Sequence, residues 1–320
     1  MSAGGGWRPS ASLRALRARA ELLAAIRAFF AERGVLEVDC PALGAAGAPD
    51  AWIEPFRVRT PHGPRFLHTS PELAMKRLLA AGSGDIYFLG HVYRAGEWGR
   101  RHNPEFTLLE WYRLGWDHHR LMEEVAALVA ALFPPAAEHP PEKLTYETAF
   151  RRSLGIDPWT AGAGELARVA GRRGLTGGAD WDRAAWLDLL FAEIVARDFP
   201  ADRLTLVHDF PPEQAALARL REGPRPRAER FELFWGPMEL ANGFHELTDA
   251  VEQRARFEGE RTRRRAAGLP EVPPDARFLA ALEAGLPDCA GVALGVDRLL
   301  MEILGADQIG AVLPFDWSRA

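Results

Sequence analysis

Leu13, Leu16, Leu23, Ile26 and Phe30 recur at helical spacing just after Ser10 and Ser12, so the pattern predicts a helix from about Ser12 with one of those serines as cap. Gly34 is placed to stop it, and residues 35–38 read as a short strand closed by Pro41. A Gly/Ala loop over 43–49 leads to strands at 52–59 and 65–68 around a turn at 61–64. Thr69 or Ser70 then caps a helix that begins with Pro71 and runs to about Ala80. Residues 85–94 and 105–114 form two strands joined by a polar loop too short for a crossover helix, so they must pair antiparallel. A helix follows over 118–132. Proline clusters at 134–141 and 223–226 bracket a stretch dominated by one helix, 181–199, which reads as a helical insertion (about 134–227) and not as a separate domain. Strands at 231–235 and 238–246, an arginine-rich helix at 248–267 and a strand–Gly–helix unit at 290–304 close the chain. The sum is an α+β single domain spanning 1–320, a mostly antiparallel sheet flanked by helices. No glycine-rich Rossmann or P-loop turn follows any strand, so a nucleotide must be held another way.

Composition narrows this little. The 320 residues are 48% hydrophobic and 26% charged, as in a soluble enzyme with a substantial core. A net charge of −5 argues against a general nucleic-acid-binding surface. Two cysteines, Cys40 and Cys289, are too few for a disulfide framework and suit a reducing cytoplasm. The N-terminal stretch is Arg-rich and acid-free up to Glu21, as in a transit peptide, but its apolar face favours a folded helix. No apolar run is long enough to span a bilayer. The nine histidines show no ligand spacing, so packing or solvent roles are expected of them.

Three clusters carry chemistry. The first runs from Tyr93-Arg94-Ala95-Gly96-Glu97 through Arg100-Arg101-His102-Asn103-Pro104-Glu105-Phe106, crowding arginines, acids and an aromatic at one hairpin. Arginine on a sheet can grip phosphate with its planar fork, and Phe and Arg can cover the faces of a purine. Alone, such a hairpin is more often just a charged turn. The second holds Glu239 and Glu246, with Asn242-Gly243 between them opposing a helix. These are two carboxylates able to hold Mg²⁺ or an ammonium, or two surface acids. In the third, Gly291-Val292-Ala293-Leu294-Gly295-Val296-Asp297-Arg298, an apolar strand ends at a glycine and Arg298 sits in the first turn of a helix. The dipole disfavours a cation there unless an anion, bound or structural, is near.

Together and in this order the clusters resemble the three signature motifs of class II aminoacyl-tRNA synthetases, over nearly the whole chain from about residue 12. Within that class, Ser70-Pro71-Glu72-Leu73 with Lys76-Arg77-Leu78, Arg101-His102-Asn103-Pro104-Glu105-Phe106-Thr107 and Glu239-Leu240-Ala241-Asn242-Gly243-Phe244 look like the lysine type. Only about a dozen residues precede the first helix, too few for an anticodon-reading OB barrel, so no anticodon-binding domain is expected. The truncated paralogue family that fits is the elongation factor P–lysine ligases, whose closing motif likewise has Ala at the place of Ala293.

The resemblance implies ATP-dependent activation of lysine or β-lysine as the adenylate and its transfer to a lysine ε-amine of elongation factor P, in the cytoplasm, by a homodimer built through the motif 1 region leading to Pro41. It implies that Arg94 binds the α-phosphate and substrate carboxylate, with Arg94 and Arg298 as catalytic groups. Ala95, Gly96, Glu97, Asn103, Glu239, Leu240 and Gly295 would line ATP, and Phe106 and Arg298 would sandwich adenine. Ser70, Pro71, Glu72, Glu110, Tyr112 and Glu246 would hold the amino acid, and Glu239 and Glu246 would hold Mg²⁺. One position departs: the family's Arg-Asn-Glu-Glu reads Arg94-Ala95-Gly96-Glu97, so the acid expected at 96 is missing. Rival readings are a lysyl-transferring enzyme acting on tRNA or another acceptor, disfavoured by the acidity and missing barrel, a non-catalytic regulatory paralogue, and an amino-acid amidating enzyme. The arginines of the 254–265 helix read as a solvated face before a basic patch.

Overall fold

Ser12 caps the first helix: its backbone is extended and its hydroxyl accepts from the Ala15 N–H at 3.2 Å. The computed structural model describes residues 7–178 and 181–320. Residues 1–6, where the Arg-rich N-terminal stretch begins, and 179–180, inside the predicted insertion, lie outside the described residues. The elements run α1 (Leu13–Ala31), β1 (Leu36–Glu37), β2 (Leu43–Gly44), β3 (Arg57–Thr60), β4 (Gly63–Leu67), α2 (Glu72–Ala80), β5 (Ile86–Tyr93), β6 (Glu105–Leu114), α3 (His118–Leu132), β7 (Glu142–Thr145), α4 (Tyr146–Leu154), α5 (Ala163–Arg172) and α6 (Arg183–Leu190). They continue with β8 (Leu204–Phe210), β9 (Leu220–Arg221), β10 (Arg227–Trp235), β11 (Met238–His245), α7 (Ala250–Ala266), α8 (Ala276–Gly285), β12 (Cys289–Gly295) and α9 (Val296–Leu304). The protein is α+β, as the patterning predicts, with strands that pair mostly antiparallel.

The chain divides into two compact units. The first takes the described chain up to Gly115, then Thr248–Cys289 and Ala293–Ala320; the second takes Trp116–Leu247 and Ala290–Val292. In the first, β5 pairs antiparallel with β6 from Ile86 opposite Tyr112 to Tyr93 opposite Glu105, and β1 lies parallel to β5. Phe30 of α1 packs onto this ribbon, stacked on Tyr87 at 4.5 Å and edge-on to Trp111 at 5.3 Å. A separate small sheet runs β2–β4–β3. Its first predicted strand is shorter than expected, because Asp50 Oδ1 accepts from the Trp52 and Ile53 N–H groups and bends the chain before Arg57. The cap of α2 also differs: Pro71 occupies the N-cap, with Ser70 Oγ accepting the Glu72 N–H at 3.0 Å. In α7 the arginines are matched by acids, Arg254 with Glu283, Arg256 with Glu252, Arg263 with Glu260, and Arg261 and Arg265 with Glu258. This is the solvated, ion-paired face expected of it. The buried Arg264 instead ties α7 to Glu54 and to the Asp50 and Pro270 carbonyls.

In the second unit the strands run β11–β10–β8–β7, with β9 on the edge of β10. Among its described residues, the stretch expected to hold one dominant helix holds three α-helices and three strands. The predicted 181–199 helix is α6 followed by a π-helical turn (Phe191–Val195) and a 3₁₀ turn (Ala196–Asp198). Tyr146, Phe150, Phe191 and Phe210 stack into its core, which explains why β8 is buried on both faces.

Candidate active site

The first unit gathers most of the sequence-predicted residues into two constellations. On β6, Glu110 is 2% exposed and accepts from Ser70 Oγ at 2.6 Å and from the Tyr112 hydroxyl at 2.7 Å. Beside it Glu72 takes the ammonium of Lys76 at 2.6 Å, and Lys76 is itself 1% exposed. Burial pushes the Glu110 carboxyl up to about 8, helped by the Glu72 charge, while the two hydroxyls and Lys76 pull the other way. Cys40 shares the neighbourhood: burial, then Glu110 and Asp39, raise its thiol to about 11, so it is an inert thiol. Chemically this is a desolvated cluster of two carboxyls and two hydroxyls around one lysine ammonium.

The second constellation follows β5. Arg94 donates from Nε to the Thr69 carbonyl at 3.3 Å, approaches Glu97 at 3.5 Å and lies 5.0 Å over the Phe106 ring. Its guanidinium is thus half-exposed, lightly held and already over the aromatic assigned to adenine. The Ala95 N–H donates to the Glu54 carbonyl at 2.7 Å, which anchors the start of the hairpin. Gly96 then adopts φ +85 in open space, a backbone that an L-residue takes only with strain. The departure from the family's acid at this position therefore coincides with a turn that needs glycine. Asn103 is buried, donating to the Glu105 carbonyl at 2.6 Å and accepting the Trp317 N–H at 3.0 Å.

Gly295 is the N-cap of α9, where an added Cβ would only touch Arg298 at 3.7 Å. Arg298 lies 2.7 Å from His102 Nε2, a neighbour the sequence reading did not single out. Asp297 was missed too. It is 1% exposed and accepts from Arg19 at 2.5 Å and from the Thr107 N–H at 2.7 Å, while Arg19 also donates to the Thr107 hydroxyl. One carboxylate thereby joins α1, β6 and α9.

In the second unit, Leu240 is the extra residue of a bulge, since Ala241 opposes Leu233 while Glu239 opposes Phe234. Glu239 is half-buried and Glu246 is 1% exposed next to the bridge to Ala218. A further acid, Glu232, takes Arg230 at 2.5 Å, and burial followed by the Glu239 charge moves it up to about 7. The same unit brings together histidines that the linear spacing keeps apart. His118, His119 and His208 bring one donor atom each within 4.8 Å of one another, and so do His118, Glu229 and His245. Three of these come from strands far along the chain from α3, so no linear spacing could announce them.

A profile of the tRNA synthetases class II (D, K and N) matches residues 7–318. The chain is 48% identical over 323 residues, covering 98% of each chain, to the elongation factor P–(R)-β-lysine ligase of Klebsiella pneumoniae (strain 342). It is similar at 48% to the protein of that name from Proteus mirabilis and at 47% to that from Vibrio cholerae, each again over 98% of both chains.

Proposed function

The chain belongs to the class II tRNA synthetase family of the D, K and N type and is a ligase, and from that premise we propose that it attaches (R)-β-lysine or lysine to elongation factor P at the expense of ATP. The observation that carries this reading is the near-full-length identity to relatives bearing that name. The buried Glu110 carboxyl supports it, because a desolvated acid flanked by Glu72 gains a counter-charge when a substrate ammonium binds. We further propose that the chain works as a single catalytic domain.

Arg94 grips the substrate carboxylate and the α-phosphate and neutralises charge as the carboxylate oxygen attacks the α-phosphorus and pyrophosphate leaves. An ε-amine of the target protein then attacks the acyl carbonyl, the amide forms and AMP departs with the acyl oxygen. Phe106 and Arg298 hold adenine, with Ala95, Gly96, Glu97, Asn103, Leu240 and Gly295 along the nucleotide. Ser70, Pro71, Glu72, Glu110, Tyr112 and Glu246 orient the amino acid. Glu239 and Glu246 offer the hard carboxylate oxygens that Mg²⁺ prefers, and the ion would neutralise the departing pyrophosphate. A homodimer through α1 and β1 fits the exposed Leu36, 55% accessible, and sedimentation would test it. No helix among the described residues is long and apolar enough to cross a membrane, and a cytoplasmic location suits a protein-modifying ligase.

Intact-mass spectrometry of the same organism's elongation factor P, after incubation with this protein, Mg·ATP and either (R)-β-lysine or α-lysine, tests the reading. Gain of one lysyl unit is expected, and Arg94→Ala lowers its rate by about 10²–10³-fold, the usual effect of removing a transition-state donor. No mass gain with either amino acid would hand the chain to a tRNA-charging or regulatory role.

A further inference from the structure

We infer that the imidazoles of His118, His119 and His208 form a binding site for a divalent transition-metal ion of the zinc class, in the second unit and separate from the ligase chemistry. Their donor atoms already lie within 4.8 Å of one another, and the rings of His118 and His119 are 4.1 Å apart, those of His119 and His208 5.1 Å. A tetrahedral zinc site with Zn–N bonds of about 2.0–2.1 Å needs donors roughly 3.3 Å apart, a contraction within reach of ring rotation.

The second observation is chemical. His118 is 1% exposed, yet neither of its ring nitrogens has a hydrogen-bond partner, and the buried Nδ1 of His208 has none either. Buried polar atoms are satisfied in folded proteins far more often than not, so an imidazole left open on both sides is a ligand in waiting. Asp209 stands behind the pair, with Oδ1 3.8 Å from His118 Nε2 and Oδ2 3.7 Å from His208 Nδ1. A carboxylate at this distance can move in to orient metal-bound imidazoles once they turn toward an ion. Although burial alone would raise it, the neighbouring imidazoles and Arg221 hold the Asp209 carboxyl well below the usual carboxylate range, so it is charged. His119 is the exposed member and gives the ion its way in.

Two features oppose a cation here. His118 opens α3, whose N-terminus repels positive charge, and Arg221 and Arg227 both donate to Asp209. The carboxylates of Asp117 and Asp209 offset them. The alternative set, His118 with Glu229 and His245, is less suited, because Glu229 already receives His245 Nδ1 at 2.6 Å and that bond would have to open.

The test uses the full chain, stripped of metal by chelator and titrated with Zn²⁺ by calorimetry and with Co²⁺ by visible absorption. One equivalent should bind, with Co²⁺ ligand-field bands in the visible. His119→Gln and His208→Gln should each weaken binding by more than the roughly 10–100-fold that loss of an outer-shell partner costs. Glu229→Gln and the exposed-turn variant His62→Gln should bind as the unaltered chain does. His119 is at the surface, so its replacement keeps the fold even if a buried variant fails. No binding to the unaltered chain, full affinity in His119→Gln, or loss confined to Glu229→Gln would each overturn the assignment.

Discussion

Glu110 and His118 are both polar side chains sealed from water, 2% and 1% exposed, one in each unit. Glu110 has a donor for each oxygen, Ser70 and Tyr112. His118 has two ring nitrogens and no hydrogen bond to either. The first arrangement is complete in the protein alone, its oxygens satisfied before any ligand arrives. The second is incomplete, and its cost is recovered only if something else fills the coordination sphere. Burial by itself therefore does not distinguish a finished polar cluster from an open one; the count of satisfied atoms does.

The contrast can be broken most forcefully at the buried pairs. Asp297→Ala strands Arg19 in the interior and should lower unfolding free energy by about 3–5 kcal/mol in urea titrations. His118→Leu, measured in chelator, removes no hydrogen bond and should stay within about 1 kcal/mol of the unaltered chain. Equal losses in the two variants would dissolve the distinction.

A smaller effect is expected at the substrate pocket. Glu110→Gln keeps one acceptor for its hydroxyl partners but removes the counter-charge for an ammonium. The KM for lysine should rise about 10–100-fold, the worth of a charged hydrogen bond, with the KM for ATP unchanged. A parallel rise in both constants would point to a distorted fold instead of a lost charge.

The subtlest test is pH. Because the folded Glu110 carboxyl sits near 8 against an ordinary 4.5, its contribution to stability is fully present below 4.5 and is lost as pH rises through about 8. The unaltered chain should lose more stability between pH 5 and 9 than Glu110→Gln does. An ammonium favours the ionised carboxylate, so binding of lysine at pH 7 should expel protons, read by calorimetry in two buffers of different ionisation enthalpy. Equal observed heats in the two buffers would show that no proton is released and that Glu110 is not the group that meets the ligand.

What the sequence disclosed follows the same division. The β5–β6 hairpin, its bounds and its pairing were legible because alternation and a short polar loop leave one solution, and Ser70, Glu72, Arg94 and Arg298 were legible as motifs. The β7 and β8 strands were not. Leu204–Phe210 is a short apolar run that periodicity cannot separate from a helix fragment, and it lies among prolines and short helices. With β8 unseen, His208 had no place beside α3, and the histidine cluster had no signal in the spacing. Asp297 was quoted within a motif, but its partner Arg19 stands 278 residues away, a pairing that no local pattern carries.

The tie from Arg19 through Asp297 to Thr107 has a mechanical reading. It clamps the first turn of α9 at a point one residue before Arg298, with buried bonds of 2.5 to 2.7 Å. Arg94 has only a 3.3 Å bond and a 3.5 Å ion pair to restrain it, on a hairpin that turns through Gly96. One arginine therefore stands on an anvil and the other on a spring arm, so in the nucleotide grip proposed above any adjustment would fall on the hairpin while α9 keeps the registry.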